Sequence, residues 1–310
     1  MTTVIGASIQ IGLVLLLGPL FEGLMRTLVR ARIHSRQGPP ILQPFYDIFK
    51  LLIKADVQPT TSWIYALPPV FCMATILTAS LLVPVFGQAV LGDYGDAILF
   101  IYLMTASVVA IVLAGAMSAS TYAFLGLARE IMMMLTVEPV LIIWLVTAAL
   151  SAGSLNLSDM AAWNLEHGPS VSMIIAGLAV LLAIQAQVGK LPFDIAEADQ
   201  EIMGGPFIEL SGPKLAMFEW ALWAKQFVFV AMLVQIFAPW PDVAAALAGS
   251  VALGYAVSAL LLLAKVLVVV ALVALIDAVN PRLRIEQAMF YFVSIIFLAA
   301  IGLAFAIVGI

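Results

Sequence analysis

Apolar residues fall in eight windows, near 4–25, 63–86, 97–118, 131–151, 170–189, 217–238, 250–277 and 288–309, with shorter polar stretches between them. Each window approaches the ~20 residues that a helix needs to cross ~30 Å of hydrocarbon. The runs are continuous, whereas a barrel strand would alternate between lipid and lumen, so they select helices. The pattern predicts an all-α polytopic membrane protein of about eight transmembrane helices, a single transmembrane domain over residues 1–310. The first run, "VIGASIQIGLVLLLGPLFEGL", has no basic n-region and is long enough to span. It reads as a retained helix rather than a cleaved signal. No internal repeat is evident, which argues against inverted-repeat transporter folds.

One polar stretch has a pattern of its own. Residues 26–62 form a long first loop, broken by Gly38-Pro39-Pro40. Within it, "LQPFYDIFKLLIK" places Phe45, Ile48, Phe49, Leu52 and Ile53 between Asp47, Lys50 and Lys54. That spacing predicts an amphipathic helix lying at the membrane interface.

Composition sharpens the class. The chain has 310 residues, 64% hydrophobic and 10% charged, against about 25% charged in a soluble domain. It leaves no room for a separate soluble domain. Eleven of its 13 basic residues lie in alternate loops: Arg26, Arg30, Arg32, Arg36, Lys50 and Lys54, then Arg129, then Lys190 and Lys214, then Arg282 and Arg284. The opposite loops, near 87–96, 152–169 and 239–249, hold none. The positive-inside rule makes the basic loops cytoplasmic and places both termini outside, in a multi-pass protein of the cytoplasmic (inner) membrane. Cys72 is the one cysteine. An iron–sulfur cluster takes about four thiolates, so any redox centre must sit on a partner. No nucleotide loop, metal-ligand spacing or nucleophilic triad is present, and nothing points to nucleic acid.

Charge inside the spans is the next signal, because an ionisable group at the bilayer centre costs ~2.5–3.5 kcal/mol on insertion scales. Glu138 lies well inside the fourth window, in "MMMLTVEPVLIIW", and Glu219, Lys225, Lys265 and Asp277 lie in the sixth and seventh. Lined along a wet path, such groups exchange protons; paired with one another, they only hold helices together. Pro139 beside Glu138 loosens the local helix and favours the wet reading. Glu22 and Arg26 are four residues apart and read as a structural ion pair. The loop at 190–216 is acidic, with Asp194, Glu197, Asp199, Glu201 and Glu209. Asp194, Glu197 and Glu201 are spaced i, i+3, i+7 and would share one face of a helix. Crowded like charges raise affinity for protons or for a cationic partner surface; spacing alone also permits a merely solvated acidic loop.

These residues carry a resemblance. "LPFDIAEADQEIMGGPFIELSGPKLAMFEWALWAKQ" resembles the signature loop of the membrane subunit that joins the peripheral and membrane arms in respiratory complex I and in energy-converting nickel–iron hydrogenases. "RARIHSRQGPPILQPFYDIFKLL" is similar to the first cytoplasmic loop of that family, and "REIMMMLTVEP" to its third-loop and fourth-helix region. The likeness covers nearly the whole chain. It leans to the hydrogenase and formate hydrogenlyase branch: complex I members usually read G-P-N-R where this chain has Gly38-Pro39-Pro40.

The resemblance implies a membrane-anchoring and coupling subunit without redox centres of its own. Iron–sulfur clusters and a nickel–iron site would sit on peripheral hydrogenase large and small subunits and an iron–sulfur subunit. Protons or sodium ions would move through an antiporter-like membrane subunit beside it. It implies that Glu138 is the channel carboxylate of the fourth helix, with Glu219, Lys225, Lys265 and Asp277 as further proton-path candidates. Asp194, Glu197, Asp199, Glu201 and Glu209 then form the coupling loop, with Asp47, Arg36, Arg129 and Glu130 at the same docking junction. The chain departs from the family at Gln187, where a glutamate is common, at Asp199, usually glutamate, and at Leu210, often tyrosine. Two other readings compete: a quinone-reducing complex whose tunnel is lined around Phe45–Phe49, and a passive anchor with no ion path.

Overall fold

The computed structural model describes residues 2–57, 63–84, 89–241 and 251–309. The end of the first loop and most of the expected 239–249 loop lie outside the described residues. Among the described residues, twelve α-helices follow in chain order: α1 (Thr2–Leu24), α2 (Ala31–Ile33), α3 (Gln43–Ile53), α4 (Leu67–Leu82), α5 (Ala97–Met117), α6 (Thr121–Ala152), α7 (Leu157–His167), α8 (Val171–Val188), α9 (Asp199–Ile202), α10 (Gly212–Phe237), α11 (Val251–Val279) and α12 (Ile285–Val308). Among the described residues, eight helical spans are long and apolar enough to cross a membrane. The protein is therefore an all-α, multi-pass membrane protein.

Local chemistry sets the helix ends. Asp96, Asn156 and Ser170 accept from the backbone N–H groups of Ile98, Ser158 and Met173, capping α5, α7 and α8. These side chains satisfy donors that a helix N-terminus leaves open. Gly153 and Gly189, at φ of 68° and 69°, close α6 and α8 in the left-handed conformation that glycine adopts without strain.

Three boundaries differ from the hydrophobic windows. The first helix does not stop near residue 25. It continues through a π-helical turn, Met25–Arg30, into α2, so the first loop begins at about His34 rather than at Arg26. The charged residues there confused the window but not the helix, because Glu22, Arg26 and Arg30 lie on one face and pair off. Arg129 and Glu130 do not lie in a loop: α6 begins at Thr121, and only Ser118–Ser120 separates it from α5. The acidic segment is not a helix presenting Asp194, Glu197 and Glu201 on one face, since only Asp199–Ile202 is helical. The backbone at 190–198 folds as turns instead, and the three carboxylates take separate directions.

Lipid is as apolar as leucine, so close packing and buried hydrogen bonds must hold such helices together. Small residues supply the first. A Cβ on Gly18 would lie 2.9 Å from the backbone of Trp223 and Ala224, which brings α1 and α10 into near backbone contact. Gly302 makes the same close approach of α12 to α8 at Ala176. Buried amides supply the second: Gln10 donates to the carbonyls of Ser80 and Val83, Gln185 to Val273, and Asn164 to Ile236. Helix α10 is the hub, packing on α1, α3, α4, α7, α8 and α11. The amphipathic helix α3 buries Pro44 and Ile48 and leaves Tyr46, Phe49, Leu52 and Ile53 exposed, an apolar face free to meet lipid.

Candidate functional site: a carboxylate-lined cavity under an ion-pair network

The ends that carry the basic residues meet. Lys190 reaches Glu22 at 3.2 Å, Arg129 reaches Glu201 at 2.7 Å, Lys214 reaches Asp56 at 2.8 Å, and Arg282 reaches Asp194 at 2.8 Å. These pairs between segments distant in sequence all form at one end of the bundle, the end assigned to the cytoplasm by its positive charge.

Glu22 is the centre of this network. Its side chain is 2% exposed and faces three cations, Arg26 at 2.9 Å, Lys190 at 3.2 Å and Arg30 at 3.7 Å. Arg30 also pairs with Asp277, whose other oxygen accepts from the Leu191 N–H at 3.2 Å. Arg26 reaches on toward Asp47 at 3.7 Å and lies over the Trp223 ring. Glu22 and Arg26 make the ion pair expected from their spacing. Arg30 is one turn further along the same face, a signal that was legible, whereas nothing local marked Lys190 as the third cation. Asp277, a proton-path candidate by sequence, is held in this network rather than facing the interior.

Beneath the network, deeper in the bundle, lies a cavity with about 50 Å³ of free volume. One water needs roughly 10–15 Å³ of such space, so a short file of water fits. Four carboxylates and one lysine line it: Glu130 and Glu138 from α6, Asp194 and Glu197 from the acidic loop, and Lys225 from α10. Glu130 and Glu138 are eight residues apart, so two helical turns bring both to the same face. Thr105 of α5 donates to Glu138 at 3.0 Å. Pro139 removes the hydrogen bond that would run to the Leu135 carbonyl, next to Glu138. Lys225 is 3% exposed and is electrostatically coupled to Glu130, Glu197 and Cys72. Gln187, where the family commonly has glutamate, lines the same cavity and contributes an amide in place of a proton-carrying group.

On the cytoplasmic side a wider cleft of about 510 Å³ is lined by Arg26, Arg30, His34, Arg36, Lys190 and Asp277. Asp194, Glu197 and Gly189 line both the cleft and the cavity, so they form the partition between them. Glu197 is held well above the ordinary carboxylate range, first by burial and then by the charges of Asp194, Glu130 and Glu219. Burial also raises Asp194, although Arg282 and Lys190 oppose it. A carboxyl whose hold on its proton is strengthened in this way is suited to pass it on. Glu219 of α10 lies within electrostatic reach of Glu197, Lys190, Arg26 and Glu22.

The remaining sequence candidates are placed elsewhere. Lys265 donates to the Ala238 and Pro239 carbonyls, both at 2.9 Å, just past the C-terminal end of α10. A cation at that end complements the helix dipole. Asp199 and Glu201 are exposed, with Glu201 turned outward onto Arg129. Glu209 is half-buried close to Tyr65. Arg36 lies exposed on the rim of the cleft. Sequence reasoning passed over Arg30, Lys190, Thr105 and Arg282 as site residues; Arg30 was legible from its spacing to Glu22, whereas Lys190, Thr105 and Arg282 acquire their roles only from a helix or loop distant in sequence.

A bundle of membrane helices around a cavity lined by protonatable side chains defines a membrane-embedded protein that carries titratable groups within its helical core. A family model described as NADH dehydrogenase matches residues 6–308, and the chain belongs to that family. Formate hydrogenlyase subunit 4 of Escherichia coli (strain K12) is 34% identical over 273 residues, covering 86% of this chain and 87% of that protein. Hydrogenase-4 component C of the same organism is 38% identical over 240 residues, 76% of each chain. A chain in the structure of the membrane-bound sulfane sulfur reductase, an archaeal respiratory membrane complex, superposes with a TM-score of 0.90 at 28% identity, covering 99% of this chain and 100% of that one.

Proposed function

We propose that this chain is the membrane-anchoring and coupling subunit of an energy-converting complex of the nickel–iron hydrogenase type. One observation carries the reading: the acidic loop that would dock a peripheral module also forms the wall of the internal carboxylate cavity, through Asp194 and Glu197. A charge change in a docked redox module acts on that loop, and the loop acts on Glu130, Lys225 and Glu138. The relatives that are subunits of a formate hydrogenlyase and of a hydrogenase support the hydrogenase type over a quinone reductase.

The redox chemistry belongs to partners. The chain has one cysteine, Cys72, fully buried, and a cluster takes about four thiolates. The nickel–iron site and iron–sulfur clusters therefore sit on peripheral large, small and iron–sulfur subunits. An antiporter-like membrane subunit beside this one completes the path for protons or sodium ions, and the assembly resides in the cytoplasmic membrane.

The likeness to a chain of a sulfane sulfur reductase complex favours a second reading, in which the same coupling subunit serves a module that reduces sulfur compounds. Purifying the chain from native membranes in mild detergent separates the readings. Nickel and hydrogen evolution from a reduced low-potential donor support the hydrogenase type. Sulfane sulfur reduction without nickel selects the second, and quinone reduction without nickel selects the complex I side. A preparation with no redox subunit attached overturns the coupling role.

A further inference from the structure

The partition between cleft and cavity depends on how Asp194 is held. The acidic loop meets the α11–α12 corner three times. Asp277 accepts from the Leu191 N–H at 3.2 Å, Leu283 donates its N–H to the Pro192 carbonyl at 3.0 Å, and Arg282 donates from Nη2 to Asp194 Oδ2 at 2.8 Å. The first two contacts engage backbone atoms of the loop. The third is the one that fixes the Asp194 side chain.

That third contact is half-made. An arginine and a carboxylate usually meet as a fork, with two parallel N–H···O bonds. Here a single bond forms. Arg282 Nε and Asp194 Oδ1 are both buried with no hydrogen-bond partner among the described residues. The pair thus uses one of the two bonds that a fork would make, and leaves one polar atom on each member unused. Burial makes each orphan atom costly, so the single Arg282–Asp194 bond is the hydrogen bond on which the direction of the Asp194 side chain rests.

We propose that Arg282 is a positioning residue that holds Asp194 across the partition, and that the Arg282–Asp194 pair sets whether the cavity carboxylates Glu130 and Glu138 communicate with the cytoplasmic cleft. The proposal rests on the reading of the cavity as an ion path. It does not depend on which redox module is bound.

The test uses the intact complex in its resting state. A hydrophilic carbodiimide with a small amine nucleophile modifies carboxyls that water reaches, and mass spectrometry then measures the modification rate at Glu130 and Glu138. Arg282→Gln raises both rates by at least about fivefold, the lower end of what one coupling contact contributes. Asp194→Asn, which removes the pair from its other side, raises them likewise. Arg282→Lys, which keeps the charge and one donor, restores the slow rate. Parental rates in both Arg282→Gln and Asp194→Asn overturn the proposal. So does failure of all three variants to assemble, which would make the pair a structural clamp only. Because labelling needs no electron donor or acceptor, a wrong assignment of the redox partner leaves this result intact.

Discussion

Thr105 and Glu138 join neighbouring helices by a single 3.0 Å hydrogen bond, from a hydroxyl in the middle of α5 to a carboxyl in the middle of α6. A lone carboxyl at that depth is costly. The bond gives Glu138 a fixed direction, into the same cavity that Glu130, Glu197 and Lys225 line. Position and orientation together, rather than depth alone, are what suit Glu138 to be the inner member of the proposed relay.

Glu138→Gln therefore keeps an acceptor for Thr105 and loses the titrating group. Assembly with partner subunits is expected to be intact. Ion uptake per electron in sealed proteoliposomes falls, with a rate loss of roughly 10²-fold, the low end for a positioned proton-transfer group. A parental uptake ratio removes Glu138 from the path.

Glu22 makes a different prediction, one of stability. Removing one partner of a buried ion pair leaves uncompensated charge at a cost of about 3–5 kcal/mol. The arginines around Glu22 are 28–30% exposed, so the lower end applies. Glu22→Ala is expected to destabilise by about 3 kcal/mol, and Glu22→Gln by less. Thermal unfolding in detergent, followed by loss of the monodisperse peak, measures both.

Gly126 seats the acidic loop on α6. A Cβ there would lie 2.6 Å from Pro206 Cδ and 2.8 Å from Gly205 Cα. Gly126→Ala thus lifts the loop from the helix, at a cost of about 1–3 kcal/mol typical of overpacking. It also parts Arg129 from Glu201. A lower unfolding temperature together with weaker retention of peripheral subunits on purification is the expected result; an unchanged unfolding temperature contradicts the close seating.

The raised value of Glu197 gives a pH dependence with a definite sign. In strong acid the folded and unfolded chains both hold the proton. Above the ordinary carboxylate range, near 4.3, the unfolded chain releases it while the folded chain keeps it. Stability therefore falls as pH rises from there to the raised folded value, by roughly 1.4 kcal/mol per pH unit for one retained proton. Asp194, raised as well, adds a slope of the same sign. Glu197→Gln removes the larger part, so the variant gains on the parent as pH rises through this window. Unfolding temperatures across pH 5 to 8 check the sign, and parallel curves for the two proteins refute it.

The sequence by itself determined the number and apolar extent of the spans, the gathering of positive charge on alternate loops, the amphipathic helix after Gly38-Pro39-Pro40, and the presence of a carboxylate, Glu138, deep within a span. All of these are local signals: runs, periods of 3.6, and residues costly in lipid. The Glu22–Arg26 pair was legible for the same reason, four residues apart on one helix. The tertiary structure alone decided which charges share a space. Lys190 and Glu22 are 168 residues apart and Arg282 and Asp194 are 88, and no periodicity links such distances. It also showed that Asp194, Glu197 and Glu201 share no helical face, because loop carboxylates are oriented by what each finds to pair with. Asp194 found Arg282, Glu201 found Arg129, and Glu197 turned to the cavity. Packing of helices distant in sequence, which no local pattern encodes, made one wall out of two elements of the chain and placed a partition in it.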